Sequence, residues 1–121
     1  MRLQELTIMT WNVNGLDNSI KCGLVTKALT PHKPDIVLLQ ETHLMDAQHN
    51  CMGRGRYKIG SYAQYSSGSR GVLILPKKSL PFQIKKAWVD SQGCYVALHI
   101  EWEGAGIILL NVYAPSGMQM G

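Results

Sequence analysis

The feature that most constrains the fold is residues 35–40, which carry four consecutive large apolar residues, Ile-Val-Leu-Leu, at their centre. A short run that is apolar at every position is typical of a strand that is covered on both faces. A second β-branched and apolar segment, residues 6–13, lies upstream and ends at the turn dipeptide Asn14-Gly15. Because a helix fits between the two segments, the sequence predicts a right-handed crossover that joins two parallel strands.

The predicted helix has recognisable ends. Asn18 or Ser19 is a suitable N-cap, since a side-chain oxygen there can accept a hydrogen bond from the first helical turn. Pro31 and Pro34 end the helix, because proline has no backbone N–H and cannot continue it. Helical spacing then predicts an inward apolar face composed of Ile20, Leu24, Ala28 and Leu29.

The rest of the chain is rich in strands and short turns. Residues 103–106, Glu-Gly-Ala-Gly, predict a hairpin turn, and the Ser- and Gly-rich residues 61–71 predict a loop. The predicted fold class is therefore α/β in its mixed, α+β form. The other strand candidates are residues 57–62, 71–75, 84–89, 95–102 and 107–113.

Composition indicates one folded domain over residues 1–121. The apolar share is 45%, the charged share is 17%, and no apolar run approaches the roughly 20 residues of a membrane helix. Three widely spaced cysteines, Cys22, Cys51 and Cys94, argue against a disulfide framework or a zinc site. They favour a reducing compartment, so we expect a nuclear or cytoplasmic protein.

Charge permits a polyanionic partner without requiring one. Twelve Lys and Arg against eight Asp and Glu give a net charge of +4. Basic side chains in loops and at strand edges would contact phosphates without reading sequence. These residues are Arg54, Arg56, Lys58, Arg70, Lys77, Lys78, Lys85 and Lys86. For Lys77, Lys78, Lys85 and Lys86, a solvated surface is the simpler interpretation.

Polar residues that commonly handle metals and phosphates end three of the predicted strands. The residues are Asn12, Gln40 with Glu41, and Asn111 with Tyr113. We expect Asn12, Glu41 and Tyr113 to converge at one end of a sheet, where ligand sites of layered α/β folds collect.

Glu41 is the most informative of these residues, because an unpaired carboxylate directly after an apolar run would be costly. Magnesium suits it, since one or two carboxylates, water and phosphate oxygens complete its shell. A salt bridge to Lys or Arg is the alternative.

Several of these segments, in this order, resemble the first motifs of the endonuclease/exonuclease/phosphatase superfamily. They are residues 10–15 (Thr-Trp-Asn-Val-Asn-Gly), 39–42 (Leu-Gln-Glu-Thr), 69–72 (Ser-Arg-Gly-Val) and 111–115 (Asn-Val-Tyr-Ala-Pro). Residues 40–44 and 111–115 are most similar to the nuclease domains of long interspersed, non-LTR retrotransposons. The abasic-site repair enzymes of the superfamily usually carry Lys where this chain has His43.

The resemblance implies a role for each matching residue. Glu41 would bind magnesium, or manganese in its place, and Asn12 would order the metal and phosphate. Tyr113 would lie against the scissile phosphate, while Asn111 and Arg70 would bind substrate. The implied partner is DNA, and the implied reaction is hydrolysis by water with the metal as Lewis acid. The implied fold is an αββα four-layer sandwich, with two sheets face to face and helices outside.

Two later motifs of the superfamily, Gly-Asp-x-Asn and Ser-Asp-His, do not occur in this sequence. We therefore expect residues 1–121 to be the N-terminal part of one such domain, with the C-terminal half absent and no activity in isolation. We also expect strand edges and inner-face apolar residues to be exposed.

Two alternatives stay open. The chain could be a fragment of an abasic-site repair endonuclease similar to exonuclease III, or a non-catalytic truncated product that binds nucleic acid weakly. A phosphoinositide or sphingolipid substrate is disfavoured by the basic loops. The sequence identifies no protein partner.

Overall fold

Two β-sheets pack face to face in the computed structural model, which describes residues 5–16 and 18–115. A helical layer covers the outer side of the first sheet. The elements in chain order are β1 (Ile8–Asn12), α1 (Ser19–Leu29), β2 (Ile36–Gln40), a 3₁₀ helix (Asp46–Met52), β3 (Ser61–Ala63), β4 (Val72–Pro76), β5 (Phe82–Val89), β6 (Tyr95–Trp102) and β7 (Ala105–Val112). The predicted mixed α/β class is confirmed, and three of the four expected layers lie within the described residues.

The first sheet has the strand order β1-β2-β4-β3. β1 and β2 are parallel, as the crossover through α1 predicts, and β2 and β4 are antiparallel. β2 is covered on both faces, which explains its unbroken apolar run. Val37 and Leu39 belong to the core beneath the helices, whereas Ile36 belongs to the core between the sheets.

The second sheet has the order β5-β6-β7 and is antiparallel throughout. Glu103 and Gly104 form the two-residue turn between β6 and β7, with φ of 52° and 78°. A type I′ hairpin turn requires positive φ at both positions, and its twist matches that of the strands. The predicted hairpin is therefore confirmed at this place.

The expectation that the inner faces would be exposed is only partly right. Most inner-face residues of β6, such as Leu98 and Ile100, are buried against the first sheet. The large apolar residues of the inner faces that are exposed lie at strand ends or edges, and they are Ile8, Ile84 and Val89. Most of the exposed apolar surface of the second sheet is instead on its outer side, which we call the outer apolar face and which consists of Trp88, Tyr95, Ile108, Leu110 and Val112.

The inward face of α1 was predicted correctly only at Leu29. Asn18 is the N-cap, and its Oδ1 accepts a hydrogen bond from the Lys21 backbone N–H at 2.9 Å. However, Ile20 and Leu24 are 73% and 61% exposed. The buried residues of the helix are Cys22, Val25 and Leu29. The predicted and the observed buried residues both have helical spacing. Periodicity alone therefore cannot show which face of α1 packs against the 3₁₀ helix and Leu16.

The cysteine argument also requires correction. Cys22 and Cys51 form a disulfide that joins α1 to the 3₁₀ helix, and Cys94 is a buried free thiol. The two half-cystines are 29 residues apart in sequence, and the 3₁₀ helix that brings them together was not predicted. Cysteine spacing therefore no longer supports a reducing compartment. No helix among the described residues is long and apolar enough to span a membrane.

The segment before β4 differs from its prediction. The strand expected at residues 57–62 is reduced to an isolated bridge between Tyr57 and Lys77, and β3 begins only at Ser61. Residues 61–63, predicted as part of a loop, are paired with β4. Tyr57 is buried, and its hydroxyl donates to the Pro34 carbonyl oxygen at 2.6 Å. The apolar residues of this segment, Tyr57 and Ile59, therefore pack into or against the core instead of continuing a strand.

Candidate active site

Strand ends from both sheets meet at one end of the sandwich. Asn12, the last residue of β1, is the register partner of Gln40, the last residue of β2. Asn111 near the end of β7 contacts Gln40 across the interface between the sheets, with 2.8 Å between Gln40 Nε2 and Asn111 Oδ1. Glu41 directly follows β2, and Tyr113 directly follows β7. The expected convergence is therefore present, but two sheets contribute to it rather than one.

Main-chain hydrogen bonds link the loops at this end in series. The loop after β1 is bound to the loop after β2, this loop is bound to the segment before β4, and that segment is bound to the β5–β6 turn. The donor–acceptor pairs are Gly15 N to Glu41 O (2.6 Å), Leu16 N to Thr42 O (2.7 Å), Thr42 N to Gly71 O (3.1 Å), His43 N to Arg70 O (2.8 Å), Gly71 N to Gly93 O (3.1 Å) and Tyr113 N to Cys94 O (2.7 Å). We call this arrangement the loop ladder.

Unusual backbone conformations concentrate in the loop ladder. Asn14, Glu41, His43 and Arg70 have φ of 50°, 55°, 58° and 67°. Such left-handed conformations cost residues other than glycine about 1 kcal/mol or more, and they persist only where the surroundings enforce them. Four of the seven such residues in the described part of the chain therefore lie around the Glu41 carboxylate.

The ionisable side chains next to the Glu41 carboxylate are the His43 imidazole and the Tyr113 hydroxyl. The Glu41 side chain is about one-quarter exposed, and its Oε1 lies 3.7 Å from His43 Nε2. Among residues 5–16 and 18–115, no Lys or Arg forms a salt bridge with it. The alternative explanation of Glu41, a salt bridge to Lys or Arg, is therefore not supported in this part of the chain. A partly exposed carboxylate of this kind fits a magnesium ion that keeps several of its waters.

No group of three His, Cys, Asp or Glu residues gathers within the described part of the chain. Asn12 is exposed, and its Oδ1 accepts a hydrogen bond from the Asn14 backbone N–H at 3.1 Å. This bond fixes the turn after β1 and holds the amide beside the end of β2. Within residues 5–16 and 18–115, this end of the sandwich therefore offers the Glu41 carboxylate and neighbouring amides rather than a closed protein cage for a metal.

Tyr113 and Arg70 complete the surroundings of Glu41. Burial first, and then the negative charge of Glu41, raise the pKa of the Tyr113 hydroxyl, while Arg70 opposes this shift. The hydroxyl is therefore a neutral hydrogen-bond donor at ordinary pH. Arg70 is held in place because its guanidinium lies 4.2 Å from the Tyr65 ring centroid and its Nη1 donates to the Gln92 carbonyl oxygen at 3.3 Å.

Asn111 does not reach the surface, although the resemblance implied a substrate contact. Asn111 is only 1% exposed. Its Nδ2 donates hydrogen bonds to the carbonyl oxygens of Leu39 and Leu73 at 2.9 and 3.1 Å. With its Oδ1 bound to Gln40, the amide is fully used inside the protein. In this structure the Asn111 amide therefore has no unpaired group that faces the surface.

Most of the basic residues considered above lie away from this end. Lys77 pairs with Asp35 at 2.5 Å, at the opposite end of β2 from Glu41. The backbone N–H groups of Lys58 and Lys78 bind the carbonyl oxygens of Pro76 and Arg56, which places this group at the same distant end. Arg70 lies at the end that carries Glu41, since its charge acts on Tyr113 and its carbonyl oxygen binds the His43 N–H.

Sequence reasoning missed the tight contact between Thr42 and Gly71. Thr42 is fully buried, and a Cβ built on Gly71 would lie 2.5 Å from Thr42 Oγ1. Gly71 also has a φ of 109°, which side chains other than hydrogen rarely allow. The motif Arg-Gly was visible in the sequence, but its partner across the loop ladder was not.

We predict that Gly71→Ala lowers the free energy of unfolding by about 3 kcal/mol, because strain and a steric clash act together. Gly23→Ala is the matched control, since no atom lies within 4 Å of a Cβ placed on this glycine in α1. That variant should raise the same quantity by roughly 1 kcal/mol. Urea unfolding of both variants checks this, and equal effects at the two sites would contradict the packing at Gly71.

The fold thus places a carboxylate, a tyrosine and an arginine at one end of a two-sheet sandwich. The sequence model of the endonuclease/exonuclease/phosphatase family matches residues 9–118. The chain belongs to this family.

Solved structures with the same fold include a truncated TDP2 from Caenorhabditis elegans, with 24% identity and a TM-score of 0.69 over 92% of this chain and 47% of that one. The AP endonuclease LMAP from Leishmania major has 23% identity and a TM-score of 0.69 over 93% and 41%. The 3′ phosphatase NExo from Neisseria, bound to a product DNA hairpin, has 24% identity and a TM-score of 0.65 over 90% and 41%. The chain thus spans less than half of the length of each of these structures.

Proposed function

We propose that this chain forms the metal- and phosphate-binding part of a magnesium-dependent DNA endonuclease of the kind found in non-LTR retrotransposons. The observation that carries the proposal is the position of the Glu41 carboxylate. It lies in a strained loop, has no Lys or Arg salt bridge within the described residues, and is close enough to influence the Tyr113 hydroxyl. Domains of the family that are twice this length would supply the remaining groups.

Glu41 is the residue that would hold magnesium, or manganese in its place. The bound ion would act as a Lewis acid towards phosphate oxygens. Tyr113 would donate a hydrogen bond to a phosphate oxygen, because its raised pKa keeps the phenol protonated. Arg70 would attract the phosphate backbone, and its packing on Tyr65 limits the entropy lost on binding. Asn12 would orient water or phosphate through its exposed amide.

The retrotransposon branch is supported by residues 40–44 and 111–115, and in particular by His43, which lies beside Glu41. The second candidate is a fragment of an abasic-site repair endonuclease, and the likeness in fold to the enzyme from Leishmania major favours it. DNA binding distinguishes the two. A retrotransposon domain should bind intact duplex and duplex with an abasic site equally, whereas a repair domain should prefer the abasic site.

The proposed function is tested by titrating the isotope-labelled chain with Mn²⁺ and following backbone amide signals by NMR. We expect paramagnetic broadening to be strongest at Asn12, Glu41 and Tyr113, and to be lost in Glu41→Gln, because the variant removes the anionic ligand. Glu101→Gln is the matched control, since Glu101 is an exposed carboxylate on β6 paired with Lys85 at 3.5 Å.

Two results would contradict the proposal. One is broadening centred on residues other than the end that carries Glu41. The other is broadening at this end that persists unchanged in Glu41→Gln.

A further inference from the structure

The Asn111 amide joins the two sheets at the residues that directly precede Glu41. Its Nδ2 donates to the Leu39 and Leu73 carbonyl oxygens, one on β2 and one on β4. Carbonyl oxygens only accept hydrogen bonds, so this end of the amide must be the NH₂ group. Asn111 Oδ1 must therefore be the acceptor for Gln40 Nε2 at 2.8 Å. The orientation of both amides is fixed by their partners.

Gln40 extends the same connection to β1. Its Nε2 also lies 2.8 Å from Thr10 Oγ1 and 3.1 Å from the Leu38 carbonyl oxygen. One buried amide and one half-buried amide thus tie together β1, β2, β4 and β7. The two bonds that Asn111 Nδ2 donates are buried, and an unpaired polar group there would cost about 1–3 kcal/mol.

The residue held in this way is the one before a strained carboxylate. Glu41 has a left-handed φ of 55°, and Gly15 binds its carbonyl oxygen from the far side. A strained backbone persists only when its neighbours are fixed on both sides. Asn111 and Gln40 fix the side towards β2, and the loop ladder fixes the other.

We propose that Asn111 is a positioning residue that acts through Gln40 to set the Glu41 carboxylate for divalent-metal binding. Its amide does not touch the ion. It holds the end of β2 in the one register and direction that present the carboxylate towards Tyr113. This inference rests on the proposed function, because it requires Glu41 to be the metal ligand. Partners of a ligand in this position commonly change metal affinity about 10-fold to 100-fold when they are removed.

The test measures Mn²⁺ affinity of the purified chain by electron paramagnetic resonance of the free ion, together with thermal unfolding. Asn111→Leu keeps the volume and removes the hydrogen bonds, and we expect it to weaken Mn²⁺ binding about tenfold or more. Gln40→Met removes the hydrogen bond between Gln40 and Asn111 by changing the half-buried partner. If Asn111→Leu fails to fold, the Mn²⁺ affinity of Gln40→Met tests the proposal instead. Leu109→Ala is the control for stability alone, since Leu109 is buried in the same core two positions earlier on β7.

Leu109→Ala should lower the unfolding temperature and leave Mn²⁺ affinity unchanged. If Asn111→Leu and Gln40→Met bind Mn²⁺ as the wild type does, while Glu41→Gln does not, the positioning role is wrong and the proposed function stands. If Leu109→Ala loses as much affinity as Asn111→Leu, the role of Asn111 is structural only, and the inference fails. If Glu41→Gln binds Mn²⁺ normally, the proposed function fails and this inference fails with it.

Discussion

The purified 121-residue chain is expected to show no magnesium-dependent nicking of supercoiled plasmid. Glu41, Tyr113 and Arg70 provide a ligand, a hydrogen-bond donor and a positive charge. The sequence has neither Gly-Asp-x-Asn nor Ser-Asp-His, the motifs that by family resemblance orient the attacking water and stabilise the transition state. A general base and an electrostatic stabiliser each raise the rate of hydrolysis roughly a hundredfold or more. Without both, the rate should fall by about ten-thousandfold.

The nicking assay needs two matched variants. Glu41→Gln, purified in parallel, reports any contaminating nuclease, because its own activity should be nil. His43→Gln tests the imidazole that lies 3.7 Å from the Glu41 carboxylate. Nicking that copurifies with the wild type and disappears in Glu41→Gln would refute the prediction. Loss of that nicking in His43→Gln as well would show that it also requires the imidazole beside Glu41.

Self-association of the chain through the outer apolar face is the second large effect that we expect. Trp88, Ala97 and Leu110 are register partners across the second sheet, and Leu110 is 57% exposed. Ile108 and Val112 flank it on β7 and are 66% and 45% exposed. A continuous apolar face of this kind on a soluble domain marks a contact surface or an aggregation site. The wild-type chain should therefore form oligomers that light scattering detects.

Replacing Leu110 with Lys should make the chain predominantly monomeric. Losing one buried leucine contact costs about 1.5–3 kcal/mol, which corresponds to association weakened roughly tenfold to hundredfold. Ile20→Lys is the control, because Ile20 is 73% exposed but lies on α1, away from the second sheet. A wild-type chain that remains monomeric and unfolds in one sharp transition would contradict this prediction. Equal effects of the two lysine variants would show that general charge, rather than this face, controls association.

Much of the first sheet could be predicted because local signals agree with one another there. The unbroken apolar run before Gln40 requires cover on both faces, and the proline-bounded helix before it requires a parallel crossover. Asn18 supplies the helix cap by local chemistry alone. The choice of the buried face of α1 could not be predicted, because the partner that selects it is the 3₁₀ helix, whose residues show no clear periodicity.

The candidate site could be predicted to a similar extent. Strand order brings Asn12 and Glu41 together, since the ends of parallel strands lie at the same end of a sheet. The burial of Asn111 depends on contact between two sheets, which a pattern within one strand does not encode. The disulfide between Cys22 and Cys51 is likewise a property of tertiary packing, because the sequence separation carries no information on distance in space.

The loop ladder holds the loops of the candidate site together through main-chain hydrogen bonds rather than through side chains. Its bonds are made by main-chain atoms, so side chains in the loops can change without breaking the ladder wherever its backbone neither requires glycine, as at Gly71, nor excludes proline. Residues 64–69 lie between β3 and Arg70, beside this end of the sandwich. If the proposed function is right, replacing their side chains, apart from Tyr65, which packs on Arg70, should alter which DNA is contacted while Glu41 stays in place. Target preference could then diverge independently of the metal site.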